Sequence, residues 1–498
     1  MTPALQWLRA STQAVLPQRA NRPEPLTGWP ALWRRAGMAL PVVFFAIYTA
    51  SSLLRDYHLG TAGYDLGIFD QAVRQYAHFN APMTPLMGPG FNNLGDHFSP
   101  IFAVLAPFYW IWPDRRMLLV AQAALLAVSV IPVVGVTARR LGQWAGFAVG
   151  VAYGLSWGLQ GLIGYDFHQV AFAIPMLAFA MAALVEGRYR AVAAWALPLL
   201  LVKEDLGLTV AAIGLVLVLR RQRRLGLGLA VAGAATFLLT TLVIIPHLDH
   251  LFHTYRYWGV VGGARSNTAP APGFGQLLRL LADLPKDAVT PVGKPIMLLW
   301  LFGIVAFVAL RSPLLLVAVP TLLWRLVSTN PAYWSIGNVH YNSVLMPIVF
   351  VALADAVPAL RSSRWRLLRG YGRIAVPVVL AVALLALPRF TLWDMTSAAT
   401  YRADPRAAAA RSLAARIPSG AEVSASDYLV PLVVDRCTTV LFPNTHRVPV
   451  DYVLVDTLNL YGVPLPHDQQ EAYLVALPGQ GYHVIGQADG IELFQLDG

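Results

Sequence analysis

Carboxylates and histidines gather in a few short stretches of this sequence, each set between apolar runs. The stretch Gly63-Tyr64-Asp65-Leu66-Gly67-Ile68-Phe69-Asp70-Gln71 carries two acids among aromatic and aliphatic residues. A carboxylate half-buried in such company is costly unless something compensates it. It reads either as a general base or metal ligand at a water–lipid boundary, or as a helix cap. Asp96-His97 is a second acid–histidine pair, suited to acid/base or metal chemistry or to a structural hydrogen bond. Tyr165-Asp166-Phe167-His168 is a third. Lys203-Glu204-Asp205 interrupts an otherwise apolar block. Ionisable groups there mark a functional site or the turn of an internal ion pair. Arg325 has Trp324, Tyr333 and Trp334 near it, with His340-Tyr341 further on. An arginine beside aromatics suits a phosphate or pyrophosphate headgroup; snorkelling to the membrane interface is the alternative. The sequence has no glycine-rich phosphate loop, no recognisable Ser/His/Asp motif and no HExxH motif. A nucleotide-dependent reaction therefore has no visible site, and none is seen for haem. The acid–histidine set leaves a divalent cation open.

These residues need elements to hold them, and composition says which. The chain has 498 residues, 57% hydrophobic and 13% charged, against roughly 25% charged in soluble proteins. Runs such as 117–136 and 225–246 approach the ~20 residues that cross a bilayer as helix. The net charge of +11 does not imply nucleic acid, because the arginines sit in short clusters between apolar runs, where the positive-inside rule puts them. Cys437 is the single cysteine, which excludes an intrachain disulfide and a multi-cysteine metal site. Scarce lysine with abundant Ala, Leu, Val and Arg suits a GC-rich bacterial genome.

With the arginine clusters inside, the chain predicts a polytopic α-helical membrane protein of about eleven transmembrane helices. Residues 1–36, with Arg9, Arg19, Arg22, Arg34 and Arg35, read as a cytoplasmic tail. Residues 37–388 form the membrane domain, with a large first outer loop at 55–116. Within that loop, 98–112 is apolar but short, and reads as a re-entrant or interfacial piece. The block 191–219 reads as two short helices that turn at Lys203. Arg115-Arg116 is the exception to the charge sorting, falling outside. Residues 389–498 change character: β-rich runs at Glu422–Ser426, Thr438–Phe442, Tyr452–Asp456, Tyr482–Gln487 and Ile491–Leu496 alternate with polar turns, and 404–417 is helical in propensity. This predicts a small extracytoplasmic α/β domain.

Taken together, Tyr-Asp-Leu-Gly-Ile-Phe-Asp-Gln (64–71), Asp-His-Phe-Ser-Pro (96–100), Ala-Pro-Phe-Tyr (106–109), Phe-His-Gln (167–169), Lys-Glu-Asp (203–205), His-Tyr (340–341), Val-Ser-Ala-Ser (423–426) and Asp-Tyr-Val-Leu-Val-Asp (451–456) resemble the bacterial membrane-protein family called domain of unknown function 2079. The resemblance spans roughly residues 40–460. That family in turn resembles the C-type glycosyltransferases, which use polyprenyl-phosphate sugars and carry an essential acid in the first extracytoplasmic loop. Asp65 best matches that acid. The superfamily's adjacent acidic pair is split here, at Asp65 and Asp70. The resemblance implies an inverting glycosyltransferase in the bacterial inner membrane, with its N-terminus cytoplasmic. The donor would be a polyprenyl-phosphate sugar and the acceptor a glycan, lipid or protein hydroxyl. Asp65, with Asp70, would be catalytic. Asp96, His97, Asp166, His168, Lys203, Glu204, Asp205, Arg325, His340 and Tyr341 would bind substrate, and Arg325, Lys203 and His340 would meet the lipid phosphate. A transporter or flippase of a lipid-linked or anionic solute, or a non-catalytic envelope scaffold, is the alternative.

Overall fold

The computed structural model describes residues 29–259, 271–460 and 463–497; Arg9, Arg19 and Arg22 of the expected tail lie outside them. Among the described residues, five helices are long and apolar enough to cross a membrane: Pro30–Tyr57, Arg116–Leu141, Arg223–Leu248, His340–Arg361 and Arg366–Arg389. Gln143–Gly154 and Trp157–Ile163, bent by 43° at their junction, make a sixth if they form one span. Val170–Val185, Tyr189–Leu201, Leu206–Leu219, Gly293–Gly303 and Pro313–Val327 are shorter apolar helices. Every expected segment is thus helical, but about half are too short to cross by length alone. In 191–219 the cause is visible: Pro198 ends regular helix, and the chain turns through Lys203-Glu204-Asp205 before restarting at Leu206.

The His340–Arg361 helix is central, with 83% of its apolar window buried inside the protein; Pro30–Tyr57, Arg223–Leu248 and Arg366–Arg389, at 33%, 28% and 33%, sit at the periphery. Without a hydrophobic drive between helices in lipid, close packing of small residues supplies the association. Gly150 and Gly154 show this: a Cβ on Gly154 would sit 2.2 Å from the Phe44 ring, and one on Gly150 2.4 Å from Val134. At one end of the helices charge is paired off. Asp355 takes Arg140 at 3.4 Å and the Ser312 hydroxyl at 2.8 Å, while Glu186 pairs with Arg139 and Arg188. These are residues that the arginine sorting places on one side.

The acid–histidine stretches lie on other helix–helix connections. The segment 100–111 is a short helical piece whose Phe108, Trp110 and Ile111 point out of the protein. The arginine that breaks the charge rule has a local reason. Arg115 is buried and grips Asp56, at the end of the first helix, with two bonds of 3.0 Å.

Residues 422–496 hold a five-stranded sheet of order β2-β1-β3-β5-β4. Here β1 is Glu422–Ala425, β2 Thr438–Leu441, β3 Tyr452–Asp456, β4 Tyr482–Ala488 and β5 Ile491–Leu496. The first three are parallel, and β5 and β4 add antiparallel. Each lies within a residue of its sequence expectation, because alternating β-branched runs between turn residues encode strands locally. The Pro405–Ala414 helix starts where Asp404 caps the amides of Arg406 and Ala407; the helix His467–Ala476 has no counterpart among the expectations. One sheet face packs Val440, Phe442, Val453, Val455 and Phe494 against Leu477. The other joins the core shared with the helical domain through Val423, Ala425 and Leu454.

Candidate active site

The turn Gly63–Gly67 links the first helix region to the helix Ile68–Ala77. It delivers Asp65 to the wall of a cavity of about 650 Å³. Its polar lining is Asp65, Asp96, His97, Tyr165, His168, Lys203, Asp205, Arg256, His340 and Tyr341. Its apolar lining includes Ile68, Phe69, Met87, Leu208, Phe237, Leu238, Leu242 and Leu277. Six separate stretches of sequence supply these polar groups to one space.

Asp65 is 19% exposed, and what it exposes is cavity surface. Burial lifts its carboxyl to about 6; a hydrogen bond from Tyr165 pulls it down, Asp96 pushes it up, and His97 and Lys203 pull it down again. A pKa there leaves the group ionised at neutral pH yet basic enough to accept a proton. The same charge pushes the Tyr165 phenol well up, so Tyr165 stays a donor. His168 Nε2 stands 3.8 Å from Asp65, and burial holds the His168 imidazole neutral. His168 stacks on His340 with 3.5 Å between ring centroids and 18° between planes.

Asp65, His168 and His340 each bring one ligand atom within 4.8 Å of the others. A carboxylate and two imidazoles suit a first-row divalent cation by type. The orientation does not fit as it stands. Ring nitrogens donate in the ring plane, and two nearly parallel stacked rings aim side by side instead of at one point. The arrangement is that of a neutral histidine stack beside a carboxylate.

A second network builds the adjoining wall. Asp96 accepts from Arg256 at 2.9 Å and from the Tyr257 hydroxyl at 3.1 Å. His97 stacks on Tyr257 at 4.6 Å and bonds Glu204 at 2.8 Å. Glu204 is fully buried and also accepts from the Phe98 amide and the Tyr255 hydroxyl. Its oxygens therefore frame the site from behind and do not line the cavity. Its neighbour Lys203 does line it, held close to the charges of Asp205 and Glu204.

Three further residues named from sequence stand apart from the cavity. Arg325 is fully buried, and its guanidinium bonds the carbonyls of Tyr333 and Tyr341 at 2.7 and 3.2 Å and the Asn342 amide oxygen at 2.5 Å. It braces the 333–342 loop and is not free to meet a phosphate. Asp166 accepts from the Ala62 amide at 3.0 Å and pairs with Arg55 at 3.4 Å. Asp70 is fully buried and bonds the Tyr109 hydroxyl at 3.3 Å. Arg256, Tyr255 and Tyr257 are not among the residues expected from sequence. The signal that marks them is a cation interleaved with aromatics, Tyr255-Arg256-Tyr257-Trp258, the same pattern as around Arg325.

The family model described as "Predicted membrane protein (DUF2079)" matches residues 55–493. No curated protein matches the chain. Among solved structures, the crystal structure of ArnT from Cupriavidus metallidurans bound to undecaprenyl phosphate is similar in fold. Its TM-score is 0.56 at 13% identity, covering 94% of this chain and 98% of that one. The apo-state crystal structure of the same protein aligns over the same shares with a TM-score of 0.49.

Proposed function

The chain belongs to the DUF2079 family of predicted membrane proteins, and on that premise we propose that it transfers a sugar from a polyprenyl-phosphate donor to an acceptor hydroxyl, with Asp65 as general base. One observation carries the reading. Asp65 lines a cavity whose wall combines charged and polar groups with leucines and Phe237. Such a space suits a ligand with a charged sugar-phosphate head and a hydrocarbon tail. The solved structure of similar fold is bound to undecaprenyl phosphate, a molecule of that description.

In the reaction, the acceptor oxygen attacks the anomeric carbon while its proton passes to a carboxylate oxygen of Asp65. The bond from the anomeric carbon to the phosphate oxygen breaks, and its electron pair leaves with the polyprenyl phosphate. Attack opposite the departing group inverts the anomeric centre. Lys203, which lines the cavity, meets the growing phosphate charge; Arg256 lines it too, paired with Asp96 and Asp249. Preorganised charge of this kind contributes on the order of 3 kcal/mol per group. Tyr165 and the histidine stack hold the base in place.

The test is release of polyprenyl phosphate by purified protein in detergent, from a panel of polyprenyl-phosphate sugars with cell-envelope extract as acceptor. The wild type turns over, and Asp65→Asn loses about 10³-fold of the rate. Retained turnover in Asp65→Asn removes Asp65 from the base role. No turnover with any donor in folded wild type shifts the reading to transport or scaffolding.

A further inference from the structure

The loop that carries Asp65 is held largely by groups far away in sequence. The Ala62 amide donates to Asp166 Oδ2 at 3.0 Å. The Gly63 amide donates to the Asp427 carbonyl at 2.7 Å, and the Tyr64 amide donates to Asp427 Oδ1 at 3.0 Å. Asp427 is 4% exposed and follows β1 in the C-terminal domain. In α/β sheets, the crevice beyond the carboxyl ends of parallel strands is the usual ligand site. Here β1 lies between its parallel neighbours β2 and β3. The end of β1 binds the backbone of the Asp65 loop instead.

The first outer segment is shaped for this contact. A Cβ on Gly63 would lie 3.0 Å from Asp427 Oδ1 and 3.0 Å from Val430, and one on Gly67 2.8 Å from Val430. Further along the same helix face, Gln71 donates to the Thr439 carbonyl at 3.0 Å, and Arg74 to those of Val434 and Cys437 at 3.0 and 3.2 Å. Gly67, Gln71 and Arg74 recur at helical spacing and Gly63 adds to the same contact from the turn before the helix, so this side docks the domain while Asp65 faces the cavity.

We propose that Asp427 of the C-terminal α/β domain is a positioning residue of this site: by holding the Gly63 and Tyr64 amides it sets the carboxylate of Asp65, so that the outer domain is part of the active centre. The inference rests on the transferase reading for its kinetic arm and on geometry alone for its structural arm. Misplacing a catalytic group by an ångström can cost about 10²-fold in rate.

The experiment compares wild type, Asp427→Ala and Asp427→Asn, which keeps an acceptor oxygen, as full-length protein in detergent. Hydrogen exchange at the Gly63 and Tyr64 amides is measured beside kcat and the donor KM. Asp427→Ala, which removes the side-chain acceptor of the Tyr64 amide and leaves the carbonyl that holds Gly63, speeds exchange at the Tyr64 amide and lowers kcat by about 10- to 100-fold with the donor KM within about threefold; Asp427→Asn restores both. Gly63→Ala, which crowds the same contact from the other side, gives the same kinetic split if Asp427→Ala yields too little protein. Unchanged exchange or unchanged kcat in Asp427→Ala overturns the proposal, as does an Asn variant as impaired as Ala. Faster exchange in Asp427→Ala, with a wild type that releases no polyprenyl phosphate, upholds the clamp and sinks the transferase reading.

Discussion

Asp65 and Asp70 leave the same short stretch and end in opposite surroundings. Asp65 opens on a cavity, with Tyr165 and His168 beside it. Asp70 is sealed between Tyr109 of the short apolar piece and Asp435 of the C-terminal domain, where burial and then Asp435 lift its carboxyl to about 7. Arg74 and Arg115 stand near enough to lower it, and Arg115 reaches Asp435 at 4.0 Å. Asp65 sits in the turn Gly63–Gly67 and Asp70 in the helix Ile68–Ala77 that follows, and one carboxylate faces the cavity while the other is buried toward the C-terminal domain. Two carboxylates in one motif therefore stand in different surroundings. The neighbour that each finds across the fold decides its work.

The largest expected effect tests this contrast directly. Against the ~10³-fold loss expected of Asp65→Asn, Asp70→Asn keeps transfer within about threefold, because an amide still meets Tyr109 and nothing there touches the cavity. A loss at Asp70 equal to that at Asp65, in a variant with an unchanged melting curve, would break the comparison.

The pH dependence sharpens it. A base must be ionised to act, so kcat/KM for the wild type rises with pH through about 6 and then levels. Asp70→Asn leaves that limb in place. Tyr165→Phe removes a bond that favours the ionised form of Asp65 and moves the limb to higher pH. A limb that shifts with Asp70 and ignores Tyr165 reverses the assignments.

The smallest effect is on stability. Asp70 is neutral when folded up to about pH 7, whereas an unfolded aspartate ionises near pH ~4. Between those values the folded state binds the extra proton, so stability falls as pH rises. Asparagine carries no such proton. The melting temperature of Asp70→Asn in detergent thus gains on the wild type between pH 5 and 7, by roughly 2–4 °C. A gap that does not change with pH would show that Asp70 is charged in the folded protein.

The strands of the C-terminal domain were legible almost to the residue, since a β-rich run between turn residues carries its own signal. So were the apolar helices and the stretches that end near the cavity, including Asp96-His97, His168, Lys203 and His340-Tyr341. Arg325 was legible as an arginine among aromatics, but not as a brace, because its three acceptors come from a loop that folds back over it. Arg256 carries the same signal; its partners are Asp249, seven residues upstream, and Asp96, in another loop. The docking stripe Gly67-Gln71-Arg74 has a helical period, yet small and polar residues in a row do not say what they face.

Sequence by itself determined the class of molecule. Its apolar content leaves too little polar surface for a soluble shape, and its arginine spacing sorts the connections into two sets. Tertiary structure alone decided which acid meets the cavity, which cations line it, and that the C-terminal domain holds the loop of Asp65. The physical reason is range. Hydropathy and strand propensity are summed over neighbours in the chain, whereas the character of a carboxylate is set by burial and by charges within a few ångströms. For Asp65, Asp70 and Asp427 those neighbours come from distant parts of the chain.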